Sequence, residues 1–279
     1  MPRGMVVTRQ DIARELRSLG LAGRPVCAHS SLRSFGDVEG GAAAVVGAFL
    51  DEGCTLLVPT FSSDFALAAP PHMRFERNGW DYEAHTSSPG ADRIYAPETN
   101  EVDRDMGAIP AAVLAWPGRV RGNHALDSLT AAGPLAAALV QGQAPLDVYA
   151  PLKALAGAGG FVLLMGVGLE RMTLLHLAER EAGRKMFRRW ANGPDGAPSV
   201  FGVGGCSEGF GRLEPALRSS MRTTVVGRGV WRVFEAREAL RLAAAAIRAD
   251  PHITHCGAAA CERCDDAVAG GPILKEEEE

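Results

Sequence analysis

Residues 26–59 read VCAHSSLRSFGDVEGGAAAVVGAFLDEGCTLLVP, and this stretch predicts the fold. An apolar run at 26–29 breaks at Ser30-Ser31 and is followed by a glycine-rich turn. Alanine and valine then recur at helical spacing over residues 40–50, and a second apolar run covers residues 55–59. Strand, helix and strand in such quick succession are typical of a βαβ unit, so the sequence predicts an α/β fold.

Other parts of the chain supply further elements of both kinds. Thr8 and Asp11 form an N-terminal capping pattern for a helix over residues 8–19. Further helices are predicted at 106–116, from about Thr173, and at 236–249, with strands at 161–165 and 231–234. The 161–165 strand ends at Gly166-Val167-Gly168 and leads into a helix. Ligand sites of α/β proteins lie at such carboxyl ends of strands, so a site is expected here.

Composition sets limits on the class of protein. The chain has 279 residues, 47% of them hydrophobic and 22% charged, which suits one large domain and excludes wholesale disorder. The net charge of −4 comes from the tail Glu276–Glu279, and a neutral body gives no support to nucleic-acid binding. The longest apolar stretch, residues 161–169, is well short of the roughly 20 residues that cross a bilayer. No export signal is apparent, so a cytoplasmic protein is expected.

His176 and Glu179 are the first candidate catalytic pair. They are three residues apart on the predicted helix and so share one face. A carboxylate that orients an imidazole suits a general base. The alternative is an inert, hydrogen-bonded histidine next to a solvated acid.

Several other polar groups permit two interpretations. Ser30 and Ser31 could donate to a phosphate or carbonyl oxygen, or could simply satisfy their own turn. His124, in a loop that ends at Ser128, has the same ambiguity. The basic run from Arg180 to Arg189 is expected to be a solvated face of the helix and its end, with phosphate binding as the alternative.

Residues 63–105 form a long segment without sustained periodicity. It carries nine acidic residues against four arginines. A loop of this length inside a compact domain is typically functional or disordered.

Cys256, Cys261 and Cys264 have the spacing of metal ligands. In a reducing compartment this spacing favours a structural zinc ion, whose fourth ligand would be Cys206, His255 or His252. The alternative is three free thiols. Cys27 and Cys54 lie in apolar runs and are predicted to be core residues.

The motif Gly205-Cys-Ser-Glu-Gly209 fits the G-x-S-x-G nucleophile elbow, so a serine hydrolase using Ser207 is a further alternative. That motif needs a strand before the serine and a helix after it. Phe210, Gly211 and Pro215 are poor material for such a helix.

Five motifs together resemble one known family. They are His29-Ser-Ser-Leu32, Thr60-Phe-Ser62, Met106-Gly-Ala-Ile109, His124-Ala-Leu-Asp-Ser128 and the segment Gly166-Val-Gly-Leu-Glu-Arg-Met-Thr-Leu-Leu-His-Leu-Ala-Glu179. In order and spacing, from about residue 8 to 265, the chain resembles the aminoglycoside 3-N-acetyltransferase (antibiotic N-acetyltransferase) family. The Cys-x-x-Cys near the C-terminus, with Cys206 upstream, looks like one branch of it.

The resemblance implies a mixed central sheet in an α/β/α arrangement, unrelated to the commoner acetyltransferase fold, in a single domain over residues 1–279. It implies acetyl-CoA as donor and a primary amine as acceptor, with His176 as base and Glu179 as its support. The turn around Ser30, Ser31 and Leu32, with Arg33, Phe35 and Thr173, would bind the coenzyme. Asp64, His124 and Ser128 would contact the acceptor, and Cys206, Cys256, Cys261 and Cys264 would hold zinc in a part spanning 200–265.

Two departures from the family pattern bear on the acceptor. The family's His-Pro-x-x-Ser segment is here His124-Ala125-x-x-Ser128, and Arg77-Asn-Gly-Trp-Asp-Tyr82 resembles a subgroup whose acceptors are less settled. The 3-amino group of an aminoglycoside is the expected acceptor, and a nucleotide-linked or biosynthetic amine is the alternative. A non-catalytic protein that binds coenzyme A or zinc is a further alternative. The oligomeric state stays open, a homodimer included.

Overall fold

The computed structural model describes residues 6–274, so the acidic tail Glu276–Glu279 lies outside the described residues. The strands are β1 (Pro25–Ser30), β2 (Thr55–Pro59), β3 (Ala66–Leu67), β4 (Val120–Arg121), β5 (Leu129–Ala132), β6 (Phe161–Met165), β7 (Phe187–Asn192), β8 (Pro198–Val203), β9 (Met221–Val226) and β10 (Gly229–Glu235). The α-helices are α1 (Arg9–Ser18), α2 (Gly41–Asp51), α3 (Ala108–Leu114), α4 (Ala136–Val140), α5 (Ala150–Gly157), α6 (Leu174–Glu181), α7 (Glu214–Leu217), α8 (Ala236–Ala249) and α9 (Glu262–Val268).

Seven strands form the central sheet in the order β4-β5-β2-β1-β6-β10-β9. The central three, β2, β1 and β6, are parallel, and β5 and β10 pair antiparallel on either side of them. The predicted βαβ unit is therefore β1-α2-β2. Because the three central strands run the same way, their carboxyl ends meet at one edge of the sheet.

Helices cover both faces of this sheet. Along β1, Val26 and Ala28 pack on one face with residues of α1 and α2, whereas Cys27 packs on the other with residues of α5, α6 and α8. This alternation follows from the two-residue period of a strand. The predicted α/β/α arrangement with a mixed sheet is confirmed, and Cys27 and Cys54 are core residues as expected.

Local sequence explains the ends of the first helix. The Thr8 hydroxyl accepts the Asp11 N–H at 3.2 Å, and the Asp11 carboxylate accepts the Thr8 N–H at 3.0 Å. This reciprocal box satisfies two otherwise unpaired donors. The helix predicted at 106–116 is shorter, and it begins at Ala108 after Gly107 takes a φ of 88°.

A second, small sheet lies beside the main one, in the antiparallel order β3-β7-β8. Much of the 63–105 segment is irregular, with short 3₁₀ turns, and it packs against β7 through Phe75 and Trp190. Arg188 and Arg189 lie on β7 and are buried, as is Arg184 before it. The prediction of one solvated basic face over 180–189 is therefore wrong. None of the helices within residues 6–274 is long and apolar enough to cross a membrane.

Candidate active site

The carboxyl ends of β1 and β6 are joined to each other at the predicted edge. The Ser31 N–H donates to the Met165 carbonyl at 3.0 Å, which continues the pairing one residue past β1. Gly166 follows with a φ of 69°, and a Cβ there would lie 1.9 Å from Ser34 Oγ. Glycine is thus required at position 166, because the turn after β6 passes close to the side chain of Ser34.

His176 and Glu179 form the central pair of the site. They lie on α6, which begins eight residues after Gly166, and His176 Nδ1 lies 2.8 Å from Glu179 Oε2. Both side chains are largely buried, at 12% and 9% exposure. Since the carboxylate accepts a proton at Nδ1, the other ring nitrogen, Nε2, is left with a lone pair. No hydrogen bond to Nε2 is formed within residues 6–274.

Glu179 is itself held on its second oxygen. Arg184 Nη1 donates to Oε1 at 2.5 Å, and the Thr254 hydroxyl lies 3.3 Å from the same oxygen. Arg184 also donates to Thr254 Oγ1 and to the Pro251 carbonyl. This network fixes the position of the carboxylate, and through it the orientation of the His176 ring.

Three residues that the sequence did not point to enclose the imidazole. Tyr149 stacks parallel to it with centroids 6.0 Å apart, and Phe210 meets it edge-on at 4.8 Å. A Cβ on Gly204 would lie 2.7 Å from His176 Cδ2 and 2.5 Å from Tyr149 Oη. Gly204 thus packs closely against both the imidazole and the Tyr149 hydroxyl.

Asp127 is a fourth residue that sequence reasoning missed. Burial raises the pKa of this carboxyl to about 6, against the lowering effect of the nearby His176 charge. The motif His124-Ala-Leu-Asp-Ser128 contains it, so the signal was present. Nothing in the sequence of this five-residue motif indicates that its acid lies near His176, which is 49 positions later.

His124 and Ser128, the predicted acceptor contacts, are both buried. His124 is fully buried, accepts the Asp127 N–H at Nδ1 (2.8 Å), and lies 2.9 Å from the Gly202 carbonyl at Nε2. Burial lowers its pKa to about 4. Ser128 is buried too, between Arg121 Nε at 2.9 Å and the Thr60 carbonyl at 2.8 Å. All of these polar groups form hydrogen bonds within the protein, and the acceptor contacts of both residues stay predictions.

The predicted coenzyme residues divide into accessible and buried groups. Ser30, Ser31 and Leu32 are half-buried and Arg33 is exposed, at the open edge of the sheet. Phe35 is fully buried and packs edge-on against Trp231 with centroids 5.6 Å apart. Its ring belongs to the core, and its coenzyme contact stays a prediction. Thr173 is 7% exposed at the start of α6.

Asp64 lies on a 3₁₀ turn after β2, with its side chain 63% exposed. Arg93 approaches it at 3.8 Å and covers the ring of Phe65. Asp64 is accessible to a cation, and its acceptor contact stays a prediction.

Four cysteine sulfurs come together in a separate cluster. The Sγ atoms of Cys206, Cys256, Cys261 and Cys264 all lie within 4.8 Å of one another. His255 is not the fourth ligand, because Nδ1 accepts the Gly257 N–H at 2.9 Å and Nε2 lies 3.0 Å from Asp265 Oδ1. The geometry thus selects Cys206 from the three alternatives.

Ser207 lies next to that cluster in a loop. The chain between β8 and the 3₁₀ turn Phe210–Leu213 holds neither a strand directly before Ser207 nor an α-helix directly after it. A nucleophile elbow requires both. The match to G-x-S-x-G is therefore coincidental.

The model of one protein family, described as aminoglycoside 3-N-acetyltransferase, matches residues 27–248. The chain belongs to this family. The match covers the central sheet, α6 and Cys206, and it ends before the other three cysteines.

Relatives of this acetyltransferase family member are similar over part of their length. Aminoglycoside N(3)-acetyltransferase IX of Micromonospora chalcea is 35% identical over 183 residues, and form VIII of Streptomyces fradiae is 37% identical over 188 residues. These matches take in 63% and 64% of this chain, and 63% of each relative's length. The chain thus spans somewhat less than two thirds of the curated relatives it matches.

Solved structures resemble nearly the whole chain. The apoenzyme of aminoglycoside acetyltransferase AAC(3)-IVa is 25% identical with a TM-score of 0.78, over 96% of this chain and 99% of its own. A histidine-to-alanine mutant of that enzyme, in complex with a gentamicin, has a TM-score of 0.76 at 25% identity, over 97% of this chain and all of its own.

Proposed function

We propose that this protein transfers the acetyl group of acetyl-CoA to a primary amine, the 3-amino group of an aminoglycoside in the first instance, with His176 as general base. The observation that carries the proposal is the His176–Glu179 pair. Nδ1 of His176 lies 2.8 Å from Glu179 Oε2, and Nε2 of His176 is left available at the carboxyl edge of the parallel strands. An imidazole held in this way has one defined proton acceptor.

The chemistry requires a neutral amine and a place for its proton. An ammonium loses one proton to solvent, and its nitrogen then attacks the thioester carbon. The nitrogen's next proton moves to Nε2 of His176, and the carbon–sulfur bond breaks. Delivery of that proton to the departing sulfur yields coenzyme A as the free thiol. Glu179 stabilises the transient imidazolium, and Arg184 and Thr254 keep Glu179 in place.

The coenzyme would bind along the Ser30-Ser31-Leu32 turn, with Arg33 available to a phosphate. These residues lie at the end of β1, where half-buried hydroxyls and an exposed guanidinium are accessible. Attack on the thioester places negative charge on its oxygen, which backbone N–H groups or a hydroxyl of this turn would stabilise. Direct transfer between the two substrates follows, since neither Ser207 nor a cluster cysteine contacts His176.

An aminoglycoside is the acceptor class that both sequence and relatives favour. The relatives are named for the N(3) position of aminoglycosides, and the mutant AAC(3)-IVa structure holds a gentamicin. Asp64 offers an exposed carboxylate near the site, and the 63–105 segment is acidic, which suits a polycation. Antibiotic resistance would be the consequence of this activity. A nucleotide-linked or biosynthetic amine remains the alternative acceptor.

The test is acetylation of a panel of amines, followed by intact-mass measurement of the products. Gentamicin and other aminoglycosides, simple amines and nucleotide-linked amines are each incubated with acetyl-CoA. We expect the wild type to add one acetyl group to an aminoglycoside, and His176→Ala to lower kcat at least about a hundredfold with coenzyme binding unchanged. His252→Ala, at an exposed histidine, is the matched control and should stay fully active.

Each alternative has its own outcome in that panel. Products on other amines alone would retain the mechanism and replace the aminoglycoside. Full activity of His176→Ala would refute the base assignment. The absence of acetylated product from every amine, together with no coenzyme binding, would favour the non-catalytic binding protein.

The four-cysteine cluster is proposed to hold a structural zinc ion. Zn–S bonds of about 2.3 Å place tetrahedral sulfurs about 3.8 Å apart, which the cluster's spread of at most 4.8 Å accommodates. Backbone N–H groups already face two sulfurs: that of Cys256 donates to Cys264 Sγ at 3.3 Å, and that of Ala258 to Cys256 Sγ at 3.4 Å. Four thiolates leave no open position, so the ion would supply stability and not catalysis. Thiolate ligands of this kind fit the reducing cytoplasm, where we propose the protein works.

A further inference from the structure

We infer that the four-cysteine cluster positions the catalytic pair, because a metal ion bound by its sulfurs would fix the two loops that hold His176 and Glu179. The loops are residues 204–209, which precede the 3₁₀ turn Phe210–Leu213, and residues 250–256, which follow α8. Neither loop contains a strand or a helix. The inference rests on the proposed function and on the proposed zinc ion, and it gives the cluster an effect on the reaction in addition to stability.

The first loop lies against the ring of His176. A Cβ on Gly204 would lie 2.7 Å from His176 Cδ2, so the backbone of this loop packs closely on the imidazole. Phe210, directly after the loop, meets the same ring edge-on with centroids 4.8 Å apart. A shift of residues 204–209 would therefore change the space that the imidazole occupies.

The second loop holds Glu179 and its partner Arg184. The Thr254 hydroxyl lies 3.3 Å from Glu179 Oε1, and Arg184 Nη1 donates to Thr254 Oγ1 at 2.7 Å. The Pro251 carbonyl accepts from Arg184 Nη2. Thr254 is buried, at 3% exposure, so these hydrogen bonds are shielded from water. The loop thus supplies two acceptors for Arg184 besides Glu179 itself.

A cluster cysteine follows each of these contacts by two residues. Cys206 follows Gly204 in the first loop, and Cys256 follows Thr254 in the second. Two residues of chain span at most about 7 Å. A sulfur that is fixed in place therefore also restricts the position of the residue that contacts the catalytic pair.

The two loops meet through close packing and through the sulfurs. A Cβ on Gly209 would overlap the Thr254 carbonyl oxygen, so the loops touch where no side chain fits. Within residues 6–274, no backbone hydrogen bond joins residues 204–209 to residues 250–256. The four sulfurs lie within 4.8 Å of one another, and thiols interact only weakly, whereas four metal–sulfur bonds would join both loops to the start of α9. Bound metal would thus set the distance between the two loops.

The chemistry gives this positioning a specific effect. His176 must present Nε2 to the amine while Glu179 keeps the proton on Nδ1. A small misplacement of a catalytic group lowers the rate strongly. The coenzyme turn, in contrast, follows β1 at the centre of the main sheet. Loss of the metal should therefore lower kcat and leave coenzyme binding intact.

The first experiment follows the His176 ring without any substrate. Nitrogen-15 NMR of the histidine rings is recorded on zinc-loaded protein, after chelation under reducing conditions, and after zinc is restored. Signals that are missing from His176→Ala identify the ring. We expect one tautomer, with the proton on Nδ1, in loaded and restored protein, and a shift toward a mixture of tautomers in stripped protein. On chelation kcat should fall about ten- to a hundredfold and recover with zinc, while coenzyme A affinity by calorimetry stays unchanged.

Thr254→Val separates positioning from loss of the metal or of the fold. It removes the hydroxyl and keeps all four cysteines, so its zinc content should equal that of the wild type. We expect its His176 signals to shift and its kcat to fall about tenfold, with an unchanged KM for acetyl-CoA. Thr254→Ser restores a hydroxyl and should return kcat toward the wild-type value. Thr223→Val, at an exposed threonine of β9, is the matched control and should behave as the wild type.

Unchanged His176 signals after chelation, or wild-type kcat in Thr254→Val, would overturn the inference. A wild type that binds no zinc would do the same, as would a parallel loss of coenzyme binding on chelation, which indicates a general role in stability. Metal-dependent His176 signals without acetylation of any amine would leave the positioning in place and overturn the proposed function. Acetylation whose kcat does not change on chelation would retain the proposed function and overturn the positioning.

Discussion

At the scale of single residues, Gly204 has the most demanding position in the site. It is not forced into a left-handed conformation, and its constraint is purely one of space. It faces the His176 ring and the Tyr149 hydroxyl, and Tyr149 is fully buried. Any side chain at this position would have to displace the catalytic imidazole or the tyrosine.

Gly204→Ala should therefore lower activity more than stability. The added methyl group would approach ring atoms and the tyrosine oxygen to 2.5–2.8 Å, and the imidazole would rotate away from Glu179. We expect kcat to fall at least tenfold and unfolding to become easier by about 1–3 kcal/mol, as for overpacked cores. Kinetics and urea unfolding measure the two effects. Gly211→Ala, where a Cβ meets nothing within 4 Å, is the control. Equal kcat in both variants would contradict this account.

The residue scale also shows where sequence reasoning reached its limit. His176 and Glu179 were predicted because one helix turn brings them together. Gly204 and Asp127 reach the same place from two loops that are 77 positions apart, and no local period records that. The acceptor contact of His124 was expected from the family resemblance, whereas its burial depends on Phe201 and Gly202 in β8.

At the scale of elements, α9 contacts both the cysteine cluster and the 63–105 segment. It carries Cys264 of the sulfur cluster, and its Asp266 accepts the Gly79 N–H at 2.5 Å. Arg77 donates to the carbonyls of Ala269 and Gly271 just after this helix. The acidic 63–105 segment is thus attached to the cysteine cluster through a seven-residue helix. Such a short helix has little stability of its own.

Cys261→Ser should consequently affect both metal content and stability. With three thiolates left, we expect less than about a tenth of the wild-type zinc by elemental analysis. The melting temperature should fall by several degrees, because α9 loses its attachment. Cys27→Ala removes a core thiol outside the cluster and should retain the metal. A wild type that binds no zinc, with an unchanged melting temperature in Cys261→Ser, would refute the zinc proposal.

Strands that consist of a continuous apolar run were predicted well, and strands without such a run were not. Strands β1, β2 and β6 are continuous apolar runs, as expected of parallel strands buried on both faces. Strand β7 reads FRRWAN and gave no such signal. Arg189 is buried because its guanidinium lies over Trp80 and donates to the carbonyls of Asn78 and Gly79, which come from a distant segment. Only tertiary structure supplies those partners.

At the scale of the whole molecule, three buried titratable groups couple folding to pH. Burial lowers the pKa of His29 to about 3 and that of His124 to about 4, below the ordinary 6.5. Both are neutral in the fold, so their contribution is fully present above about pH 6.5 and is lost as pH falls toward those values. Burial raises the pKa of Asp127 from 3.8 to about 6. Between these values the folded protein binds a proton there that the unfolded chain does not, which opposes the histidines.

Together these three groups predict how steeply the free energy of unfolding changes with pH. Between about pH 6 and 4.5 the unfolded chain holds about two protons on the histidines that the fold lacks, and the folded state holds about one on Asp127 that the unfolded chain lacks. Each unmatched proton changes the unfolding free energy by about 1.4 kcal/mol per pH unit. The wild type should therefore lose about 1.4 kcal/mol per unit of acidification. Asp127→Asn should lose about 2.7 kcal/mol per unit of acidification, because only the two histidines then bind protons differently in the folded and unfolded states.

Urea unfolding at several pH values across this window measures both slopes. Asp51→Asn removes an exposed carboxylate and should follow the wild-type line. If Asp127→Asn and the wild type had the same slope, the carboxyl of Asp127 would titrate normally in the fold. It would then be open to water, and burial would not disfavour its charge. The pH dependence of folding thus tests, without any substrate, whether burial disfavours the charge of Asp127 in the fold.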